Sequence, residues 1–365
     1  MRILLSGGGT AGHINPAVAI AKTVDSYEPG SDILFVGTPK GMEQRLVPRE
    51  GFPIKSIEVM GLRRKLTLEN VKVAVNYFTS IRDAGRIIDE FRPDVVVGTG
   101  GYVCAPVIKA AFKRKIPTLI HEQNVFPGLA IKMLAKKADV TAISFDETRS
   151  MMEAKNMVLT GNPLRPDLFD PIDAQSVRDG LELPDGPVVL MFGGSLGAER
   201  MNDALVEMLK SGPVNFNLVA ATGEKHYDGV MAKLKGVSLG KNVKILPYIY
   251  NMKEMFAMAD LAVCRAGAIT VSELSALGKA AVLIPSPYVA HNHQEYNARY
   301  LEKNGGAKVL LESDLSGSSL RKAIEDSISD PARLSEMGRC SKKIGISDGV
   351  DTIYRELRGI IKKKV

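Results

Sequence analysis

"MRILLSGGGTAGHINPAVAIAKTV", residues 1–24, is the stretch whose reading decides the fold. A short apolar run feeds a glycine loop, and a helical pattern follows. Gly7, Gly9 and Gly12 satisfy G-x-G-x-x-G, the spacing of a dinucleotide-binding turn. That fingerprint needs a partner, a carboxylate at the end of the second strand to hold ribose hydroxyls. Here the second strand ends "LFVGTPKG" (34–41) and offers Val36, Gly37 and Thr38 instead. A Walker loop fails as well, because His13 follows Gly12 where Lys-Ser/Thr is required. The physical purpose of the loop survives both failures. Glycine lets backbone N–H groups come close to an anion, and the helix behind presents its partly positive end.

The pattern restarts at "PVVLMFGGSLGAER" (187–200), again strand, Gly-Gly loop and helix. Apolar, β-branched runs predict strands at 2–5, 32–36, 94–97, 117–120, 187–192, 216–221, 243–246, 260–264 and 280–284. Helical periodicity marks 16–27, 69–91, 199–211 and 270–278. Strands that are continuously apolar are covered on both faces, which means a parallel α/β sheet. Two Rossmann-like halves follow, each able to hold phosphate or charge developing on it. The break falls near "TGNPLRPDLFDP" (160–171), giving domains 1–164 and 165–349. Two facing domains predict a ligand cleft between them. A last amphipathic helix, 350–365, with Val350, Ile353, Tyr354, Leu357 and Ile361 on one face, is expected to dock on a sheet.

Composition agrees with a globular chain. It has 365 residues, 45% hydrophobic and 24% charged, too long for one ordinary core. No run of 18 apolar residues is present, and no signal-peptide pattern opens the chain. Cys104, Cys264 and Cys340 are scattered, which argues against a disulfide framework or zinc site and for a reducing cytoplasm. The formal charge of +7 is concentrated in the first half, where 22 Lys+Arg face 16 Asp+Glu. Such a basic face attracts either nucleic acid or an anionic membrane surface.

Polar residues cluster where parallel sheets place their ligands, beyond strand C-terminal ends. In "ADLAVCRAGAITVSELSALGKAAVLIP" (259–285) small residues allow close approach to Ala268–Thr270, and the helix is expected to stop at Gly278. Glu273 would either accept two hydrogen bonds from a ribose diol or merely favour the helix dipole. "PSPYVAHNHQEYNARYL" (285–301) brings His291, Asn292, His293, Gln294, Glu295 and Asn297. The two histidines lack a third ligand at metal spacing, so sugar hydroxyls suit the cluster better than a metal. In the first half "GTGGYVCAP" (98–106) and "LIHEQNVFPG" (119–128) should line the same rim as the first loop, with Glu122 a buried acid and Asn124 an amide donor. His13 is either a general base, since imidazole titrates near neutrality, or a packing residue at a helix start.

Taken together, "GGGTAGHINPAVAIA", "GGYVCAP", "HEQN", "GNPLR", "GGSLGA", "CRAGAITVSE" and "NHQEYNA" occur in an order that resembles the MurG family of bacterial peptidoglycan glycosyltransferases. The resemblance spans essentially the whole chain. It implies a GT-B fold, with the C-terminal helix returning to the N-terminal domain. The implied reaction is transfer of N-acetylglucosamine from UDP-GlcNAc to undecaprenyl-diphosphate-linked muramyl-pentapeptide (lipid I), giving lipid II, with inversion and without metal or other cofactor. Residue by residue, it implies Glu273 at the uridine ribose and Ala268, Ile269, Thr270, Val271 and Ser272 at the diphosphate. Ile249 would meet uracil, Ser195 and Arg165 the phosphates, and Gln294 the GlcNAc hydroxyls. Thr10, Ala11, Gly12 and Asn124 would close on the sugar, while Gly101 and Tyr102 would lie on the acceptor side. His13 would be the base and Glu122 its support.

Two positions depart from the family. Ala11 stands where many members carry glycine, and His293-Gln294 where others have Gln-Gln. The resemblance also turns the charge reading from nucleic acid toward the membrane. The chain would sit peripherally at the cytoplasmic face of the cell membrane, with cell-wall synthesis proteins as possible partners. Segment 46–66 and helix 69–91, with Val71, Val75, Phe78 and Ile81 beside Arg82 and Arg86, would supply the docking groups, Arg63, Arg64 and Lys65 among them. The competing readings are another GT-B lipid or natural-product glycosyltransferase, a UDP-GlcNAc 2-epimerase, and a silent sugar-nucleotide-binding scaffold.

Overall fold

The structure is a computed structural model that describes residues 1–59, 69–194 and 197–363, the side chains of 69–75 excepted. The chain divides into two compact units, Met1–Leu164 with Ile346–Val365, and Arg165–Gly345. The return to the first unit therefore falls at Ile346, four residues before the expected 350.

Unit 1 alternates strand and helix: β1 (Arg2–Gly7), α1 (Ala11–Tyr27), β2 (Asp32–Gly37), α2 (Glu43–Arg49), β3 (Ile54–Ser56), α3 (Glu69–Phe91) and β4 (Val95–Gly100). It continues with α4 (Cys104–Lys113), β5 (Thr118–Glu122), α5 (Leu129–Ala135), β6 (Val140–Ile143) and β7 (Met157–Leu159). The seven strands lie in the order β3-β2-β1-β4-β5-β6-β7, all parallel. Successive residues of β1 serve opposite faces, as strand geometry requires. Leu4 packs with Ile81 and Ile88 of α3 and with Val107 and Ile108 of α4. Ile3 and Leu5 pack with Ile14 and Val18 of α1 on the other side.

Unit 2 repeats the plan with α6 (Ala174–Gly180), β8 (Val188–Phe192), α7 (Glu199–Lys210), β9 (Asn217–Ala221), α8 (Glu224–Lys233), β10 (Val243–Leu246) and α9 (Met252–Met258). Then come β11 (Leu261–Cys264), α10 (Ala268–Leu277), β12 (Ala280–Leu283), α11 (His293–Lys303), β13 (Ala307–Val309), α12 (Gly317–Ile328) and α13 (Pro331–Ile344). Its order β10-β9-β8-β11-β12-β13 matches unit 1 strand for strand except that a seventh is missing. Two late helix starts use local side-chain chemistry: Asp330 accepts from the N–H groups of Ala332 and Arg333 ahead of Pro331, and Ser316 forms a capping box with Ser319. Gly278 stops α10 at φ 72°, a left-handed cap that suits a residue without Cβ.

The last helix, α14 (Gly349–Lys362), belongs to unit 1. Ile353, Leu357 and Ile360 enter the core beside α1, while Ile361 only flanks it, so the buried stripe is rotated slightly from the expected face. Its polar edge is tied to Glu28, which accepts from the Tyr354 hydroxyl at 2.8 Å and pairs with Arg358 at 2.9 Å. Leu357→Ala removes a fully buried side chain from that seam and is expected to destabilise unit 1 by about 2–5 kcal/mol. Chemical denaturation followed by circular dichroism checks this, and a loss under 1 kcal/mol would mean the helix is only loosely attached.

Candidate functional site

In both sheets the strand order reverses at one place, between β1 and β4 in unit 1 and between β8 and β11 in unit 2. Open α/β sheets bind ligands beyond the strand C-terminal ends at this point. In unit 1 the ends of β1 and β4 are pressed together backbone to backbone. Gly8 N–H donates to the Gly100 carbonyl at 3.3 Å, and Thr99 Oγ1 donates to the His13 carbonyl at 2.7 Å. A Cβ on Gly101, where φ is +82°, would lie 2.2 Å from the Gly8 carbonyl oxygen, and one on Gly100 2.8 Å from the His13 ring.

His13 thus rests on bare backbone in the first turn of α1. Its Nδ1 lies 3.0 Å from the Gly8 carbonyl oxygen and 3.3 Å from Thr10 Oγ1. A carbonyl only accepts, so Nδ1 carries a proton, and in the neutral ring the lone pair sits on Nε2. Thr10 precedes the helix in extended conformation without capping it, and Thr10 and Gly12 are exposed beside half-buried Ala11. Gly101 and Tyr102 follow β4, with the Tyr102 ring mostly exposed. The first loop differs from the expected phosphate cradle. Gly8 N–H is spent on Gly100, and Gly9 N–H points at the Glu43 carboxylate at 3.3 Å. A carboxylate beneath the loop repels an anion, which leaves the amides of Ala11 and Gly12 at the helix start for that task.

Glu122 is buried at the end of β5. It accepts from Asn124 N–H at 2.9 Å, Asn124 Nδ2 at 3.2 Å and Gly128 N–H at 2.8 Å. Both oxygens thus close the 122–128 loop, and no hydrogen bond joins Glu122 to His13. Burial pushes its pKa up, and the three donors pull back against that. The other residues of "HEQN" build a polar network that sequence reasoning missed. His121 Nε2 donates to the Gly161 carbonyl at 3.0 Å, and Gln123 Nε2 donates to His121 Nδ1 at 3.0 Å and to the Thr99 carbonyl at 2.9 Å. Asn162 Nδ2 donates to the Gln123 carbonyl at 3.1 Å. "HEQN" and "GN" of "GNPLR" are therefore one hydrogen-bonded piece.

In unit 2 the residues from Ala268 to Glu273 occupy the first turns of α10. Ala268, Val271 and Ser272 are buried, while Ile269, Thr270 and Glu273 are half-buried. Two side chains hold the preceding turn. Arg265 pairs with buried Glu312 and donates to the Ile284 carbonyl at 3.1 Å, and Asn297 donates to the Ala266 carbonyl at 3.1 Å. Loss of water around Glu273 pushes its carboxyl up to about 7, against the pull of the Arg165 charge. Arg165 itself is exposed. Gln294 Oε1 accepts from Ser286 N–H at 2.8 Å, which fixes the amide at the end of β12. His291 and Asn292 precede it at φ 53° and 52°, a strained pair for residues with side chains. Ile249 is buried between exposed Tyr248 and Tyr250 after β10. Ser195 lies outside the described residues. Among those described, no group of three or more His, Cys, Asp or Glu is placed to hold a metal ion.

Residues 3–143 match the Glycosyltransferase family 28 N-terminal domain, and residues 188–353 match the Glycosyltransferase family 28 C-terminal domain. The chain belongs to glycosyltransferase family 28. Within that family it is 48% identical to the Acetivibrio thermocellus UDP-N-acetylglucosamine--N-acetylmuramyl-(pentapeptide) pyrophosphoryl-undecaprenol N-acetylglucosamine transferase, covering 100% of this chain and 99% of the relative. The Bacillus cereus enzyme of that name with the suffix 1 is 43% identical, with 100% of both chains covered. The crystal structure of Acinetobacter baumannii MurG superposes with a TM-score of 0.82 at 30% identity over 98% of this chain and 99% of that one. A Neisseria meningitidis UDP-GlcNAc 2-epimerase bound to UDP-GlcNAc reaches a TM-score of 0.67 at 13% identity over 98% and 100%, a likeness of fold alone. The family 28 chain thus has the two Rossmann-like parallel sheets of a GT-B protein.

Burial of His121 lowers its pKa to about 4, so the folded state holds it neutral. The unfolded chain binds its proton near 6.5, so this group withdraws stability as pH falls from about 6.5 toward 4. Guanidinium unfolding at pH 7 and pH 4.5 checks this against His121→Gln. The wild-type advantage is expected to shrink by about 2–3 kcal/mol at the lower pH, and an unchanged gap would mean that His121 titrates normally.

Proposed function

We propose that this chain is an inverting glycosyltransferase that moves N-acetylglucosamine from UDP-GlcNAc to the muramyl 4-hydroxyl of lipid I, giving lipid II for peptidoglycan. Full-length relatedness at 43–48% identity to enzymes named for that transfer carries the reading. The proposed mechanism assigns the residues as follows. His13 Nε2 takes the proton of the muramyl 4-hydroxyl as its oxygen attacks C1 of GlcNAc. The C1–O bond forms on one face, and the bond to the diphosphate breaks on the other, releasing UDP with inversion. Thr10, Ala11, Gly12 and Asn124 contact the sugar, and Gly101 and Tyr102 meet the acceptor. Glu122 supports the step by fixing Asn124 and the 122–128 loop rather than through a bond to His13.

Donor recognition falls to unit 2. The start of α10, from Ala268 to Ser272, presents its positive end to the diphosphate, with Arg165 and Ser195 assisting. Ile249 meets uracil through its backbone, and Gln294 the GlcNAc hydroxyls. The Glu273 carboxylate accepts both ribose hydroxyls, which requires its ionised form. With a pKa near 7 in the unliganded protein, donor binding tightens as pH rises from about 6 to 8.

UDP release with a short-chain lipid I analogue tests the assignment. Release is expected to require the acceptor and to fall by about 10²–10⁴-fold in His13→Ala, with UDP-GlcNAc binding retained. Glu273→Gln is expected to raise KM for UDP-GlcNAc and flatten its pH dependence. UDP release without lipid I would point to another acceptor, conversion of UDP-GlcNAc to a second UDP-sugar without any acceptor would favour the epimerase, and full activity in His13→Ala would remove the base.

Because the acceptor is a lipid, the protein works peripherally at the cytoplasmic face of the membrane. No helix among the described residues is long and apolar enough to cross one. Support for docking comes from exposed apolar side chains on unit 1: Phe78 of α3 (69% exposed), Leu129 and Met133 of α5 (58% and 56%) and Tyr102 (65%). Arg82, Arg86, Lys109 and Lys132 stand on the same run of helices. Ile81 is not among the docking groups, since it faces the core. Val71, Val75, Arg63, Arg64 and Lys65 lie outside the described side chains. Co-sedimentation with anionic vesicles is expected to weaken in high salt and in a Phe78→Ser, Leu129→Ser, Met133→Ser variant. Binding indifferent to both would remove this surface as the docking site.

A further inference from the structure

Glu43 lies at the start of α2, and its side chain is fully buried. It accepts from Thr38 N–H at 2.8 Å and Thr38 Oγ1 at 2.7 Å through one oxygen, and from Gly9 N–H at 3.3 Å through the other. Three glycines wrap it: a Cβ on Gly8, Gly37 or Gly41 would lie 2.8, 2.4 or 2.2 Å from the Glu43 side chain. Nothing in the proposed transfer uses this acid.

The Gly9 N–H belongs to the peptide group whose carbonyl is that of Gly8, and that carbonyl oxygen lies 3.0 Å from His13 Nδ1. We propose that Glu43 is a positioning residue for His13, acting through the Gly8–Gly9 peptide: the carboxylate holds its N–H end, and its carbonyl end takes the Nδ1 proton. The carboxylate polarises the peptide, strengthens the Gly8 carbonyl as an acceptor and fixes the imidazole tautomer. It also favours the imidazolium that forms when Nε2 takes a proton, as a carboxylate bonded directly to histidine does. Burial alone would raise the carboxyl pKa of Glu43, but the Thr38 and Gly9 donors outweigh it and hold the group below its usual range, hence ionised.

Other titratable groups on the surrounding elements do not share this route. The Cys104 thiol at the start of α4 is pushed up to about 12 by burial and stays neutral. On β5, His121 bonds to Gly161 and Gln123, and Glu122 to its own loop.

The inference rests on His13 being the base, but its test does not need turnover. ¹⁵N NMR of the imidazole gives the His13 tautomer and pKa in wild type and in Glu43→Gln, which keeps the shape and removes the charge. The wild-type spectrum is expected to show the proton on Nδ1. In the variant the His13 pKa is expected to fall by about half a pH unit or more, and the acidic limb of kcat/KM to move with it. UDP-GlcNAc binding should stay unchanged. An unmoved His13 pKa in a folded Glu43→Gln would overturn the proposal. So would a wild-type Nε2–H tautomer, which is readable even if the variant does not fold. Full transfer by His13→Ala with a shifted pKa in Glu43→Gln would instead sink the base and leave the peptide link standing.

Discussion

The structure depends on how closely two strand ends can approach. At the reversal of strand order in unit 1, a Cβ on Gly7 would lie 2.0 Å from Thr99 Oγ1, and one on Gly98 2.5 Å from Cys104 Sγ. Side chains are excluded there by backbone and by buried neighbours. The reward is that the His13 imidazole sits close against backbone and gives its Nδ1 hydrogen bond to a main-chain carbonyl. A histidine held in this way cannot swing as it would on a surface helix, because the carbonyl that binds it is itself pinned from behind.

Unit 2 solves a parallel problem with other means. The turn before α10 is held by Arg265 and Asn297, side chains from β11's end and from α11, rather than by glycines alone. Glu312 is buried and Arg265 nearly so, and removing the arginine would leave a buried carboxylate without its counter-charge. That makes the pair a rigid brace. In the proposed reaction the first unit positions a proton acceptor and the second a helix end, so different fastenings suit the two.

Much of this was legible in the residues. The nine expected strands are all present, because long apolar runs in a doubly covered sheet leave an unambiguous signal. Four escaped notice. β3, β7 and β13 are three-residue strands at sheet edges, too short to read, and β6 is four residues interrupted by Thr141 behind the charged stretch 136–139. α1 begins at Ala11, earlier than its periodicity suggested, because glycines and Thr10 hide a helix start. Composition around the glycine loops pointed to His13, Glu122, Asn124, Glu273 and the 291–297 cluster, while Ile249, Arg165 and Ser195 came only from the family resemblance. What composition could not convey was direction: that Glu122 turns to its own loop, that Ile81 turns inward, and that Gly9 N–H is already taken. Glu43 was invisible for the same reason. Nothing in "GMEQRLVP" (41–48) announces that its acid folds back beneath residues more than thirty positions earlier.

The placement of α14 has a consequence for synthesis. Ile353 and Leu357 complete a core whose other members, such as Ile3, Leu5 and Val18, leave the ribosome first. Between them runs all of Arg165–Gly345, which takes on the order of ten seconds to translate at roughly 5–20 residues per second. For that interval the groove beside α1 stays uncovered on a nascent chain. The second unit, being continuous in sequence, is free to finish first, so the unit whose synthesis starts earlier is the one that matures later.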